Sequence, residues 1–217
     1  MTASGRAKVL KAFSTELAIM VKLRSPRIVR VFGVVTTDTS YLGLVVEMCA
    51  GGALREALEA EDYATAVDEA QRRRWLLDVA LGMSYLYSKG VEHRDLKTLN
   101  VLLDASRRRC KVSDFGLSQS ESLNTAATQS TMGGGGGAKG TPAYMAPEQI
   151  RDAKGVDHRA DIWSLGVILY ELVTGMLPFH GLDTMELLHA VTSGKYPNPT
   201  EQNPTVPSRM AAAIRAA

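Results

Sequence analysis

The first fifty residues combine one helical pattern with two β-branched runs. Apolar side chains recur at helical spacing over residues 11–23, which predicts an amphipathic helix. The Ser25-Pro26 pair predicts the end of that helix, because the residue before a proline disfavours the α conformation. The runs at residues 28–35 and 42–49 predict two antiparallel strands, and the polar segment 36–40 is the expected loop between them.

After Gly51-Gly52 the pattern becomes mainly helical. Residues 66–89 carry apolar side chains on one helical face, and Gly90 follows at a position where helices commonly stop. The other predicted elements are helices at residues 54–60, 160–174 and 184–193 and strands at residues 101–103 and 110–113. The chain is thus predicted to be α+β, with a small part at 1–49 and a helical part at 50–217. Clefts between such parts favour ligands.

Charge and composition exclude several classes of protein. The 217 residues include 25 Lys and Arg against 23 Asp and Glu, a net charge of +2. This near balance removes the electrostatic argument for a nucleic-acid or membrane-surface protein, and we expect no nucleic-acid partner. The two cysteines, Cys49 and Cys110, cannot form a disulfide framework, so a reducing compartment and a cytoplasmic location are expected.

No membrane segment is expected in this chain. The first 25 residues lack an apolar core behind a basic start, so we expect no secretory leader. The most apolar stretch, residues 162–179, contains Glu171, Gly175 and Pro178. These residues favour a buried core helix over a membrane span.

Three short motifs follow one another in the helical part. They are HRDLKTLN at residues 93–100, DFG at 114–116 and APE at 146–148. In this order and spacing they resemble the catalytic domain of eukaryotic protein kinases. The resemblance covers essentially the whole chain and implies a two-lobed fold, with residues 114–148 as the activation segment. It also implies ATP and Mg²⁺ as cofactors and proteins as substrates.

The motif residues suit the chemistry of phosphoryl transfer. Negative charge in the transition state has to be neutralised, and Mg²⁺ does this while taking oxygen ligands. The Asn100 amide and the Asp114 carboxylate are the predicted Mg²⁺ ligands, and Asp95 is the predicted base for the substrate hydroxyl. Each residue alone would be interpreted as a turn-forming loop residue, and only their joint occurrence favours a catalytic site.

Two further residues indicate the type of substrate by resemblance. Lys97 resembles the lysine of serine/threonine kinases that contacts the γ-phosphate. Thr141 resembles the docking residue that hydrogen-bonds Asp95 and Lys97. The runs HRDLKTLNVLL and GTPAYMAPE resemble the tyrosine-kinase-like group, whose members mostly phosphorylate Ser and Thr. The alternative interpretation of Lys97 is an ordinary surface lysine.

The nucleotide site is also assigned by resemblance. Val46 occupies the gatekeeper position, Glu47 and Cys49 would offer backbone groups to the adenine, and Leu102 would form the floor of the site. Glu16 matches the helix glutamate that pairs with the phosphate-binding lysine. A plain buried strand explains residues 44–46 equally well, and Glu16 alone would be part of a solvated helix face.

Five other residues resemble structural features of the kinase fold. Four of them match the hydrophobic stack that joins the two lobes, namely Met20, Val31, His93 and Phe115. Asp161, at the start of the helix predicted over residues 160–174, resembles the residue that caps the catalytic-loop backbone. A helix N-cap is the alternative interpretation of this aspartate.

The resemblance is incomplete at the amino end. The kinase pattern requires a glycine-rich loop and a lysine-bearing strand upstream of Glu16, and that lysine is expected to fall at or before Met1. The retained Asp95, Asn100 and Asp114 favour a fragment of an active kinase. A pseudokinase acting as a noncatalytic interaction module is the alternative. The isolated chain is expected to be weakly active or inactive.

Regulation by phosphorylation of the activation segment is the last expectation. Residues 118–140 are rich in Ser, Thr and Gly and are expected to be mobile. Arg94 precedes the predicted base, and an arginine there can bind a phosphate bidentately and order the loop. Ser130 and Thr131 are the favoured phosphate acceptors. An unregulated flexible insert remains the alternative.

Overall fold

The computed structural model describes residues 17–38, 41–60, 63–115, 142–151, 156–180 and 183–217. The strands are β1 (Val31–Asp38), β2 (Tyr41–Val46), β3 (Val101–Leu103) and β4 (Cys110–Val112). The helices are α1 (residues 17–20), α2 (Leu54–Leu58), α3 (Tyr63–Ala66), α4 (Glu69–Ser88), α5 (Pro147–Arg151), α6 (Arg159–Thr174), α7 (Thr184–Ser193), α8 (Pro199–Gln202) and α9 (Ser208–Ala216). This mixture of small sheets and many helices confirms the predicted α+β class.

The amino-terminal sheet consists of β1 and β2, which pair antiparallel as predicted. The predicted loop at residues 36–40 was wrong, because β1 continues to Asp38 and Thr36 pairs with Leu42. Threonine is β-branched and suits a strand, so Thr36 extends the ladder, and the pair Asp38–Tyr41 follows after an irregularity at Thr37. The β1 strand also starts later than predicted, since Ile28 forms an isolated bridge with Val112 of β4.

Most of the helices lie close to their predicted positions. Helix α7 has the predicted bounds, and α4 covers residues 69–88 of the predicted 66–89. The later start of α4 follows from Asp68, whose extended backbone lets its side chain accept the Gln71 N–H at 2.7 Å. Helix α8 was not predicted. Its signals are Asn198, which caps the Thr200 N–H, and Pro199 in the first turn.

One hydrophobic core joins the two longest helices. Trp75, Met83 and Leu86 of α4 lie in the same buried cluster as Ile168 and Leu172 of α6. The apolar stretch at 162–179 is therefore part of the core, as the sequence predicted. Within the described residues no helix has both the length and the apolar character that crossing a membrane requires.

The segment before β1 attaches the amino-terminal sheet to the helical part. The Val29 N–H donates to the Val112 carbonyl at 2.8 Å, and the Val112 N–H donates to the Arg27 carbonyl at 2.9 Å. The Arg27 guanidinium also lies 2.8 Å from the carboxylate of Asp78, which is fully buried in α4 and binds Arg109 at 2.6 Å. Backbone bonds and a shared buried charge thus hold the two parts together.

The four residues of the predicted hydrophobic stack are all buried. The exposed fractions are 4% for Met20, 2% for Val31, 0% for His93 and 1% for Phe115. Met20, Val31 and Phe115 belong to the main core cluster, which spans both parts of the chain. Their burial brings the end of α1 and the start of β1 next to the residues that flank the candidate active site.

Candidate active site

The loop between α4 and β3 is fixed to the start of α6 through its backbone. The Asp161 carboxylate, 2% exposed, accepts the His93 N–H at 2.8 Å and the Arg94 N–H at 2.7 Å. Arg94 has a left-handed φ of 65°, a conformation that costs energy for a residue with a side chain. The two bonds to Asp161 offset this strain. Asp161 thus caps the loop, and His158 occupies the N-cap position of the helix.

His93 connects this loop to the end of β4. Its ring is fully buried, and its Nε2 lies 2.9 Å from the Ser113 carbonyl oxygen. The Asp95 N–H points at its Nδ1 at 3.4 Å. Burial lowers the pKa of His93, so the neutral imidazole can donate from Nε2 and accept at Nδ1. The ring fixes the backbone immediately before Asp95.

The side chains of Lys97 and Asn100 meet at the carboxylate of Asp95, the predicted base. The Lys97 ammonium lies 2.7 Å from Asp95 Oδ2, and the Asn100 amide nitrogen lies 3.2 Å from the same oxygen. Asn100 also donates to the Asp95 backbone carbonyl at 2.8 Å. The Asp95 side chain keeps 36% of its surface exposed, whereas that of Lys97 keeps 14%. One carboxylate oxygen is therefore held in place while the side chain stays open to a reacting hydroxyl.

Asn100 and Asp114 are brought close in the fold by a tie between their backbones. The Ser113 N–H donates to the Asn100 carbonyl at 2.8 Å, and the Ser113 hydroxyl donates to it at 3.0 Å. Asp114 follows directly, exposed and with a left-handed φ of 57°. The Asn100 amide nitrogen is used by Asp95, which leaves its amide oxygen for a ligand. An amide oxygen and a carboxylate form a donor set that suits a hard cation such as Mg²⁺.

The predicted adenine site lies where β2 leads toward α2. Val46 pairs with Val31 at the end of β2, and the Val46 side chain is 45% exposed. Leu102 is half-buried in β3. The Glu47 carboxylate binds Lys111 and accepts the Arg30 N–H at 3.2 Å. Burial opposes ionisation, but the bonds from Lys111 and Arg30 lower the pKa of Glu47.

The two glycines after Cys49 let the chain run directly against β3. The Gly51 N–H donates to the Leu103 carbonyl at 3.1 Å, and the Leu103 N–H donates to the Gly52 carbonyl at 2.8 Å. A Cβ on Gly51 would lie 2.1 Å from the Asp104 carbonyl oxygen, and Gly52 has a φ of 81°. Only glycine fits both positions. Cys49 is half-buried, and burial raises the pKa of its thiol.

The sequence matches the protein kinase domain family over residues 2–214. The chain belongs to this family. The kinase domain resembles several curated proteins over most of its length. It is 36% identical over 186 residues to a probable serine/threonine-protein kinase of Dictyostelium discoideum, a match that covers 86% of this chain and 19% of that protein.

Two kinases of Arabidopsis thaliana are similarly related. The serine/threonine-protein kinase CTR1 is 37% identical over 187 residues, covering 85% of this chain and 22% of CTR1. The serine/threonine/tyrosine-protein kinase HT1 is 36% identical over 187 residues, covering 86% of this chain and 45% of HT1. The kinase domain therefore spans less than half of the length of each of these relatives.

Some predicted residues of the kinase domain lie outside the described part of the chain. They are Glu16, Thr141, Ser130 and Thr131, and their predicted roles stay predictions. Arg94, the predicted phosphate-binding residue, has its Nε and Nη2 each 2.9 Å from the Glu92 carboxylate. Sequence reasoning missed this pairing.

The sequence contains a signal for the Arg94–Glu92 pair, because Glu92 is a carboxylate directly before the HRD motif. Sequence reasoning also missed the contacts of Glu171. An acidic residue inside the most apolar stretch of the chain was the signal, since a buried carboxylate needs partners. Its partners lie far away in sequence, and no local pattern reveals them.

Proposed function

We propose that this kinase domain transfers the γ-phosphoryl group of ATP to Ser or Thr hydroxyls of proteins. The observation that carries the proposal is the cluster of Asp95, Lys97 and Asn100 around one carboxylate oxygen, on a loop that α6 and His93 hold by its backbone. Phosphoryl transfer depends mainly on positioning and on electrostatic stabilisation, and this loop offers both.

In the proposed reaction the substrate hydroxyl oxygen attacks the γ-phosphorus. The bond from that phosphorus to the bridging oxygen of ADP breaks, and the hydroxyl proton passes to the Asp95 carboxylate. The bonds of Asp95 Oδ2 to Lys97 and Asn100 fix the orientation of this carboxylate. The Lys97 ammonium adds a positive charge in the same loop, which favours the negative charge of the transferred group.

The cofactors in this proposal are Mg²⁺ and ATP. Asn100 and Asp114 would hold Mg²⁺, which would neutralise phosphate charge when bound. The adenine would lie at the segment of Val46, Glu47 and Cys49, against Leu102. Support for this placement comes from the half-buried Leu102 and from the residues after Cys49, which lie along β3 through the Ala53–Leu102 bridge and the bond from the Gly51 N–H to the Leu103 carbonyl.

Lys97 and Thr141 support Ser and Thr over Tyr as acceptors, and we place the kinase domain in the tyrosine-kinase-like group. The name of the related protein HT1 includes tyrosine, so the acceptor needs a direct test. Phosphoamino-acid analysis of the product should give phosphoserine and phosphothreonine with little phosphotyrosine. A predominantly phosphotyrosine product would overturn the group assignment.

The test of activity uses the chain joined to its own upstream coding sequence, Mg-ATP and a generic basic protein. Asp95→Asn should reduce turnover by orders of magnitude, because the amide cannot accept the hydroxyl proton. Asp157→Asn is the matched control, since the Asp157 side chain is 44% exposed and, among the described residues, pairs with Arg159. Equal turnover of Asp95→Asn and the native sequence would refute the role of the base.

A noncatalytic pseudokinase is the second candidate function. It predicts no phosphoryl transfer by the extended chain and a melting temperature that does not respond to Mg-ATP.

We also propose a cytoplasmic location, because Cys49 and Cys110 are both free thiols. Imaging of a fluorescently tagged chain tests this location.

A further inference from the structure

Four polar side chains form a cluster beside the catalytic loop, which we call the Glu171 network: the half-buried Arg55 and the buried Thr98, Tyr144 and Glu171. The Glu171 carboxylate is 3% exposed. One of its oxygens accepts the Tyr144 hydroxyl and, at 3.3 Å, the Thr98 hydroxyl. The other oxygen lies 2.8 Å from Arg55 Nη1. The two hydroxyl oxygens lie 2.7 Å apart.

The four residues come from four separate parts of the chain. Arg55 belongs to α2 and Glu171 to α6, 116 positions apart. Thr98 begins the 3₁₀ turn Thr98–Asn100, which delivers Asn100 to the active site. Tyr144 ends the 3₁₀ turn Pro142–Tyr144, near the end of the predicted activation segment. One carboxylate therefore connects the catalytic loop to residues 142–146, which we call the docking segment.

Arg55 is one of the three groups that favour the ionised form of Glu171. Burial raises the pKa of Glu171, which favours the neutral acid, while the Tyr144, Thr98 and Arg55 groups oppose that change. Among the described residues Arg55 supplies the positive charge in contact with this carboxylate. A carboxylate that lost it would bind a proton or stay buried without a counter-charge, and either change weakens its bonds to the two hydroxyls.

We propose that Arg55 is a positioning residue for the kinase reaction. It keeps Glu171 ionised, and the ionised carboxylate holds the 3₁₀ turn Thr98–Asn100 and the docking segment in one arrangement. That these two segments meet a protein substrate rests on the proposed function, whereas the contacts among the four residues do not. Arg55 acts through Glu171, Thr98 and Tyr144, and no contact with a reacting atom is assigned to it.

Hydrogen exchange of the full 217-residue chain tests the proposal without relying on activity. Arg55→Ala should make amide exchange about tenfold faster in residues 98–100 and 142–146, while α4 exchanges at its native rate. Arg55→Lys should restore most of the protection, because the ammonium keeps the charge. Glu59→Ala is the matched control: Glu59 binds the Nε side of Arg55 and is itself 60% exposed, so its loss should change neither segment.

A double variant separates the charge from the packing. Glu171→Gln needs no counter-charge, so Arg55→Ala combined with Glu171→Gln should exchange more slowly in both segments than Arg55→Ala alone. Native exchange rates in Arg55→Ala, equal acceleration in α4, or a double variant as fast as Arg55→Ala would each overturn the proposal. If Arg55→Ala fails to fold, Arg55→Lys and the double variant are compared with the native chain instead, and a double variant that also fails to fold would overturn the proposal.

A kinase assay then connects the network to catalysis. In the extended chain, Arg55→Ala should lower kcat and raise KM for the protein substrate by about tenfold together, with KM for ATP unchanged. A selective change in KM for ATP would contradict the proposed position of the network. An extended chain without any activity would count against the proposed function, and the exchange result would still decide whether Arg55 orders the two segments.

Discussion

The Asp161→Asn substitution should destabilise the catalytic loop by an amount that the structure allows us to work out. The native carboxylate accepts two backbone N–H groups at 2.8 and 2.7 Å and is 2% exposed. The asparagine keeps one acceptor oxygen and turns an NH₂ group toward the other N–H. Charge-assisted hydrogen bonds contribute about 1.5–3 kcal/mol each, and an unsatisfied buried N–H costs about 1–3 kcal/mol. A loss of about 2–4 kcal/mol is therefore expected.

Urea unfolding followed by tryptophan fluorescence measures this loss. Trp75 lies in the core and Trp163 is two residues from Asp161, so the signal reports on both α4 and α6. A typical domain has a stability of about 5–15 kcal/mol, and the expected loss moves the midpoint clearly. Asp157→Asn serves as the exposed control. A change below about 0.5 kcal/mol in Asp161→Asn would refute the view that this carboxylate offsets the strained loop.

Two further predictions use the same urea titration. Asp78→Asn should cost about 3 kcal/mol, because it leaves the partly buried guanidinium groups of Arg27 and Arg109 facing a neutral amide, and native stability would contradict this. Stability should fall as the pH drops below about 6.5, by up to about 1.4 kcal/mol per pH unit, because His93 has a lowered pKa and takes up its proton only when unfolded. His93→Gln should flatten the dependence of stability on pH. His180→Gln, at an exposed histidine, should leave it unchanged, and equal slopes in both variants would disprove the assignment to His93.

Local sequence signals predicted the helices well because those signals act over a few residues. Asp183 caps α7 and is followed three positions later by Glu186, and the resulting capping box fixes the helix at its predicted start. Gly90, with a φ of 70°, ends the α4 region as expected. The loop between β1 and β2 was misplaced because Thr36 and Thr37 suit both a polar loop and a strand. Pairing with β2, which is not a local property, decides between them.

The contacts that define the candidate site were predictable only in part. The motif spacing predicts the neighbourhood of Asp95, Lys97 and Asn100, since these residues lie within one short loop. Arg55 and Glu171 lie 116 positions apart, and no local sequence pattern around either residue identifies the other as its partner. Their meeting depends on how α2 and α6 pack, which hydrophobic periodicity alone does not specify.

Helix α6 explains why a site built from loops can be rigid. It is the most apolar long element of the chain, yet Asp161, Ser164 and Glu171 are 2%, 4% and 3% exposed. At 100° per residue these three positions fall within an arc of about 80° on one face of the helix. Asp161 holds the backbone before Asp95, and the Ser164 hydroxyl donates to the Tyr144 carbonyl at 2.8 Å. Glu171 holds the Thr98 and Tyr144 hydroxyls. Three polar exceptions in one buried helix therefore transmit the rigidity of the core to both the catalytic loop and the docking segment.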